Sequence, residues 1–314
     1  MRHAAAAIFF PTGAALLISG TLFAQQPGML VLEAPASTEA MAYGNAPNLF
    51  SESPSLLFFN PALLGRARGG DVGFQRYGGE GTLATLAGTG TLQGGGFAAG
   101  LQVLRYDTEP GIPAVRDFQS VTLTTGSVGA TEIVGSLGYG RDVLGVDAGV
   151  SLKYVEQSLD GRADEGVAVD IGLAKNLGPL MVSLVGRNLG ADLHIEEETA
   201  GSTTAFALPT LIAAGASTDG FQVGPLDMLV TAQVLRRRDA EVIPAGGVEV
   251  SYWPVVGYTF RLRGGLQRVV DDARSPFTFG AAFTGDNITL EYAFQSFDHD
   301  GNAHRVGLKW RPAR

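Results

Sequence analysis

From Asp71 onward, apolar and polar residues alternate with a period of two, which is the signature of strands with two unlike faces. Over 146–154, Val146, Ala148, Val150, Leu152 and Tyr154 share one face, and Asp147, Gly149, Ser151 and Lys153 share the other. The pattern recurs with Val167, Val169, Ile171 and Leu173 against Asp170, with Val248, Val250 and Tyr252 against Glu249, and with Tyr258, Phe260 and Leu262 against Arg261 and Arg263. It closes the chain with Ile288, Leu290, Tyr292 and Phe294 against Glu291, and with Val306, Leu308 and Trp310 against Arg305 and Lys309. Turn-forming residues divide the pattern into strands over 71–77, 80–88, 94–107, 130–140, 145–155, 166–176, 180–189, 207–218, 226–236, 244–252, 258–267, 278–284, 288–297 and 303–311, about 14 in all.

Two architectures alternate in this way. A soluble β-sandwich or solenoid turns its apolar face inward, toward a core shared by two sheets. An outer-membrane barrel inverts the arrangement, apolar toward lipid and polar toward the lumen. The connections favour the barrel. They are long and polar after most odd strands (108–129, 156–165, 190–206, 237–243, 268–277) and short after most even ones, as in a barrel whose inner ends are clipped and outer ends elaborated. Tyr106, Tyr139, Tyr154, Tyr252, Trp253, Tyr258 and Trp310 fall near strand ends, where aromatic girdles would sit. The expected fold is therefore all-β: a single transmembrane antiparallel barrel over 71–314, with Asp147, Lys153, Asp170, Arg187, Glu249, Arg261, Arg263, Glu291, Arg305 and Lys309 facing the lumen.

Composition agrees with this reading. Of 314 residues, 45% are hydrophobic and 17% charged, so the chain can bury extensive apolar surface, and disorder is excluded. A net charge of −9 argues against nucleic-acid partners, because phosphates call for a basic surface. The absence of Cys removes disulfides, thiol catalysis and a lipid-attachment site. Arg2 and His3 precede an apolar stretch from Ala4 to Ile18, and a cut after Ala24 would make residues 1–24 a signal peptide; an uncleaved anchor helix is the alternative. Beyond this stretch no apolar run is long enough for a membrane-spanning helix.

The segment 25–70 differs in kind. Ser53 to Leu64 is apolar, does not alternate, and is broken by Pro54 and Pro61. It reads as a hatch lodged in the barrel beside the first strand, built on Leu56, Leu57, Phe58, Phe59, Asn60, Pro61 and Ala62. The run Asn60-Pro61-Ala62-Leu63-Leu64-Gly65 resembles the N-terminal hatch of FadL-like outer-membrane proteins, and more closely the PorV/PorQ family. That resemblance continues through Gly149 to Tyr154, the strand from Gly166 to Gly172 with Asp170, Gly186-Arg187-Asn188-Leu189-Gly190, the Pro209 strand, Leu290 to Phe294, and Gly301 to Leu308. It covers nearly the whole chain beyond the leader. The chain departs from the family in a shorter region over 27–50 and in an ending, Arg311-Pro312-Ala313-Arg314, that lacks a terminal aromatic.

No nucleophile elbow, metalloprotease helix or phosphate-binding loop is present, and no enzyme activity, cofactor or metal is expected. Asp298, His299, Asp300, Asn302 and His304 are dense in ligand types but lack calcium-loop spacing, so a polar hairpin explains them better. Arg236-Arg237-Arg238 could grip lipid phosphates or form a charged rim, and His194 with Glu196 to Glu198 reads as a solvated loop. The PorV/PorQ resemblance implies a component of type IX-like protein export that binds exported proteins at the outer membrane. The wider FadL-like resemblance implies a passive channel for hydrophobic small molecules, and a purely structural barrel is the third reading. Outer-membrane lipids are partners under all three.

Overall fold

A computed structural model describes residues 29–77, 81–107, 129–159, 162–196, 203–238, 241–269, 274–297 and 301–312. The leader expected over 1–24 and most of the acidic loop at 197–202 lie outside them. The strands are β1 (Gly70–Tyr77), β2 (Gly81–Leu92), β3 (Gly95–Asp107), β4 (Gly129–Val143), β5 (Val146–Leu159), β6 (Arg162–Asn176), β7 (Leu180–Gly190), β8 (Leu193–Glu196), β9 (Thr203–Phe206), β10 (Leu211–Thr218), β11 (Phe221–Val223), β12 (Leu226–Arg237), β13 (Val242–Val255), β14 (Tyr258–Gln267), β15 (Arg274–Gly285), β16 (Ile288–Phe297) and β17 (Asn302–Trp310).

Fourteen of them close into one antiparallel ring. Neighbours in sequence pair from β1 to β7, β7 pairs with β10, β10 with β12, β12 to β17 follow in order, and β17 returns to β1. A ring has no free edge, so every backbone donor and acceptor in the wall can be met by a neighbour, as a strand-built membrane protein requires. No helix among the described residues is long and apolar enough to cross a membrane.

The alternation sets the two faces. Val150, Leu152, Ile171 and Leu290 are each about half exposed on the outside, while Ser151 and Lys153 between them are buried inside. Two-residue turns close the ring at one end, and Gln93-Gly94 and Leu144-Gly145 both take positive φ at each position, the backbone that joins twisted strands without splaying them. Tyr252, Trp253, Tyr258 and Trp310 are exposed near this short-turn end. Tyr106, expected in a girdle, points inward instead and donates its hydroxyl to Glu132 at 3.2 Å. The connection over 190–206, expected to be a plain loop, contains a hairpin of its own, β8 with β9.

Candidate functional site

Residues 29–69 occupy the interior of the ring. Their partners come from every side: Val31 N donates to Glu132 on β4, Leu49 N to Ser217 on β10, Tyr43 OH to Glu249 on β13, Gly44 N to Thr278 on β15, and Ser53 Oγ to Asp71 on β1. The segment is built from short capped turns. Helix α1 (Thr38–Ala42) starts at Ser37, whose hydroxyl accepts from Ala40 N at 3.0 Å. A 3₁₀ turn over Pro54–Phe58 and a second over Pro61–Arg66 follow, the second capped by the Asn60 side chain accepting from Ala62 N at 3.0 Å. Each turn opens on proline, which needs no intrahelical partner for its nitrogen there.

Leu56, Leu57, Phe58, Phe59, Asn60, Pro61 and Ala62 are all buried. Their seat is not beside the first strand alone, as the sequence suggested, but spans β2 to β6, because glycine makes the wall concave there. A Cβ at Gly96, Gly140, Gly149 or Gly172 would run into the backbone of Leu64 or Pro61, or into the Asn60 side chain, so these four adjacent strands carry hydrogen where the turn docks. Gly100 likewise leaves room for the Phe58 ring. Arg66 adds an ion pair to Asp147, Arg187 donates to the Phe58 carbonyl at 3.3 Å, and the Arg187 guanidinium lies 5.9 Å from the Phe59 ring centroid.

The opposite wall is charged. Glu39 of α1 meets Lys309 at 2.5 Å, Lys309 meets Glu291 at 3.1 Å, Glu291 meets Arg263 at 2.6 Å, and Arg263 meets Glu249 at 2.7 Å, with Arg261 at 3.5 Å from Glu249. Three carboxylates face three cations, which offsets the desolvation each would otherwise suffer. Burial pushes the Glu39 carboxyl up, but the Lys309 and Arg263 charges outweigh it and hold it well below the usual carboxylate range. Arg305 is fully buried and donates to Pro35 O, Ala36 O and Thr38 Oγ1 of the segment and to Gln75 and Thr85 of the wall. Lys153 pairs with Asp170 at 2.7 Å, where β6 and β7 slip register and Asn188 takes a φ of 56°.

At the long-loop end the lumen is apolar. Met29, Val31 and Leu32 sit against Leu83, Leu104, Val134 and Val155 of the wall, and Leu193 at the start of the β8–β9 hairpin and Leu208 just after it complete the same cluster. Among the described residues, the buried polar side chains of Gln102, Glu132 and Gln157 interrupt this cluster. In the sequence, Met29, Val31, Leu32 and Glu132 carry no signal of this role beyond the apolar character of Met29 to Leu32.

The remaining candidates disperse. Arg237 pairs with Glu33 at 2.6 Å and Arg238 with Asp192 at 3.2 Å, whereas Arg236 is exposed on the outer face. His304 bonds Tyr292 OH through Nδ1 at 2.8 Å, Asn302 begins β17, and Asp298, His299 and Asp300 lie outside the described residues. No cluster of metal-ligating side chains occurs among the described residues.

No family model matches the sequence, and no curated protein does. Solved structures do. The toluene transporter TodX of Pseudomonas putida is 12% identical, over 87% of this chain and 96% of that one, with a TM-score of 0.58. The toluene transporter TbuX of Ralstonia pickettii is 12% identical, over 88% and 98%, with a TM-score of 0.59. A FadL homologue of Pseudomonas aeruginosa is 11% identical, over 87% and 96%, with a TM-score of 0.53. At such identities the likeness is one of fold: this chain, like those proteins, folds as an antiparallel barrel, here of 14 strands.

Proposed function

We propose that this protein is a non-enzymatic outer-membrane channel for small apolar solutes, with its own N-terminal segment as the removable stopper. The observation that carries the reading is the apolar cluster at the long-loop end, in which Met29, Val31 and Leu32 of the segment pack against the barrel wall. A barrel lumen that only had to stay closed could be plugged by polar contacts alone. This one presents an apolar recess of the kind that takes up hydrophobic ligands, and the chain occupies it with side chains that a solute can replace. The names of the neighbouring structures, toluene transporters among them, point the same way. Those neighbours lend no support to the export role that the PorV/PorQ resemblance implied, and the channel reading is preferred.

The test is initial uptake of labelled ethylbenzene by cells with an intact outer membrane, with and without the protein. Faster uptake of ethylbenzene, with no change for a sugar of similar size, is expected. Equal acceleration of both would indicate an open pore, and no acceleration of either would reject the channel.

A further inference from the structure

We propose that the chamber prefers uncharged apolar solutes bearing an amide-type donor and acceptor over bare hydrocarbons and over fatty carboxylates. This inference rests on the channel reading and adds the chemical class of the solute. Val31 does more than fill apolar space. Its N–H donates to Glu132 Oε2 at 2.7 Å, and its carbonyl accepts from Gln102 Nε2 at 3.3 Å. The wall thus reads the N–H and C=O of one residue, on two adjacent strands.

Glu132 also accepts from Tyr106 OH at 3.2 Å, from Gln157 Nε2 at 3.3 Å and from the Leu30 N–H of the segment. All of these partners donate, so Glu132 serves them as an acceptor. When Val31 leaves, a fully buried carboxyl loses its shortest hydrogen bond and Gln102 loses its acceptor. A hydrocarbon restores neither and so enters with lower affinity, because buried polar groups left unpaired weaken the binding of an analogue that lacks the donor. A fatty carboxylate carries no N–H to give Glu132 and leaves that acceptor unpaired. An apolar molecule with an N–C–C=O unit restores both bonds. Gln157 Oε1 has no hydrogen-bond partner although the residue is only 6% exposed, so the chamber holds a spare acceptor beside Glu132 for a second N–H.

The probes are N-acetylphenylalanine amide, the same molecule methylated at its amide nitrogens, ethylbenzene and octanoate, titrated into the full-length protein in detergent by calorimetry. N-methylation is expected to weaken binding by about tenfold or more, and the preference should collapse in Glu132→Leu. Ethylbenzene and octanoate should bind more weakly than the free amide. If Glu132→Leu does not fold, the comparison of methylated and free amide on the native protein decides alone. Equal binding of the two amides, or tighter binding of ethylbenzene, overturns the inference and leaves the channel reading standing. Failure of every probe to bind, with no uptake of ethylbenzene by cells, removes the channel reading and this inference with it.

Discussion

Replacing Arg305 by Met should loosen the stopper without opening the wall. The guanidinium makes five hydrogen bonds, of which three reach the N-terminal segment: Pro35 O at 3.1 Å, Ala36 O at 3.0 Å and Thr38 Oγ1 at 3.3 Å. Only these three bear on docking, because the bonds to Gln75 and Thr85 stay within the barrel. Hydrogen bonds to a charged group contribute about 1.5–3 kcal/mol each when buried. Methionine also avoids the desolvation that docking imposes on a cation, which works in the opposite direction. A net weakening of about 2–4 kcal/mol results, a roughly 30- to 900-fold rise in the open fraction of the segment. Hydrogen exchange over 35–42 reads this directly and should accelerate by that factor, with exchange in β3 to β6 unchanged. Unaltered protection over 35–42 would refute the reasoning. Arg311→Gln is the matched control. Its 3.4 Å contact with Glu52 is largely solvent-exposed, and such surface pairs contribute little.

Three further outcomes are expected. Leu290→Arg places a charge on the outward face and should destabilise the folded barrel by about 2–4 kcal/mol if it lies near the bilayer midplane; denaturant titration in lipid vesicles measures it, and a neutral result would contradict the assigned face. Gly140→Val should collide with the Pro61 and Ala62 carbonyls, so that the barrel still shows heat-modifiable gel migration while residues 53–66 lose exchange protection; full protection would mean the glycine seat is not needed. Glu39 has a lowered docked pKa, so its contribution to docking is complete above the ordinary Glu value of about 4.3 and declines as pH falls below it; protection over 37–43, taken relative to the intrinsic exchange rate at each pH, should be flat from pH 7 to 5 and fall further down, and a fall beginning near pH 6 would point to another group.

Much of the wall was legible from the residue pattern, because a strand's two faces repeat every second position and each repeat is independent evidence. The ends predicted for β14 and β16 agree with the structure to the residue. The interior was less legible. Alternation places Glu249, Arg263, Glu291 and Lys309 on one face but carries no information on which pairs across the lumen, since that depends on strand register and on Glu39, which sits outside the alternating region. The hatch was recognisable from Pro54, Pro61 and the apolar run between them. Its seat was not, because a glycine that admits a neighbouring backbone, such as Gly149, looks in sequence like any other small strand residue. The stretch before residue 50 lacked any repeat, and Met29, Val31 and Leu32 acquire meaning only from the cluster they complete.

Under the removable-stopper mechanism solute and Met29 to Leu32 compete for one chamber, and hydrogen exchange at Val31 tests that most directly. Its amide is held by Glu132, so exchange reports whether the segment is seated. Adding a saturating apolar solute to the native protein should accelerate exchange over 29–34 and leave 53–66 protected on its glycine seat. Unchanged protection at Val31, at a concentration where binding is complete, would contradict the removable stopper.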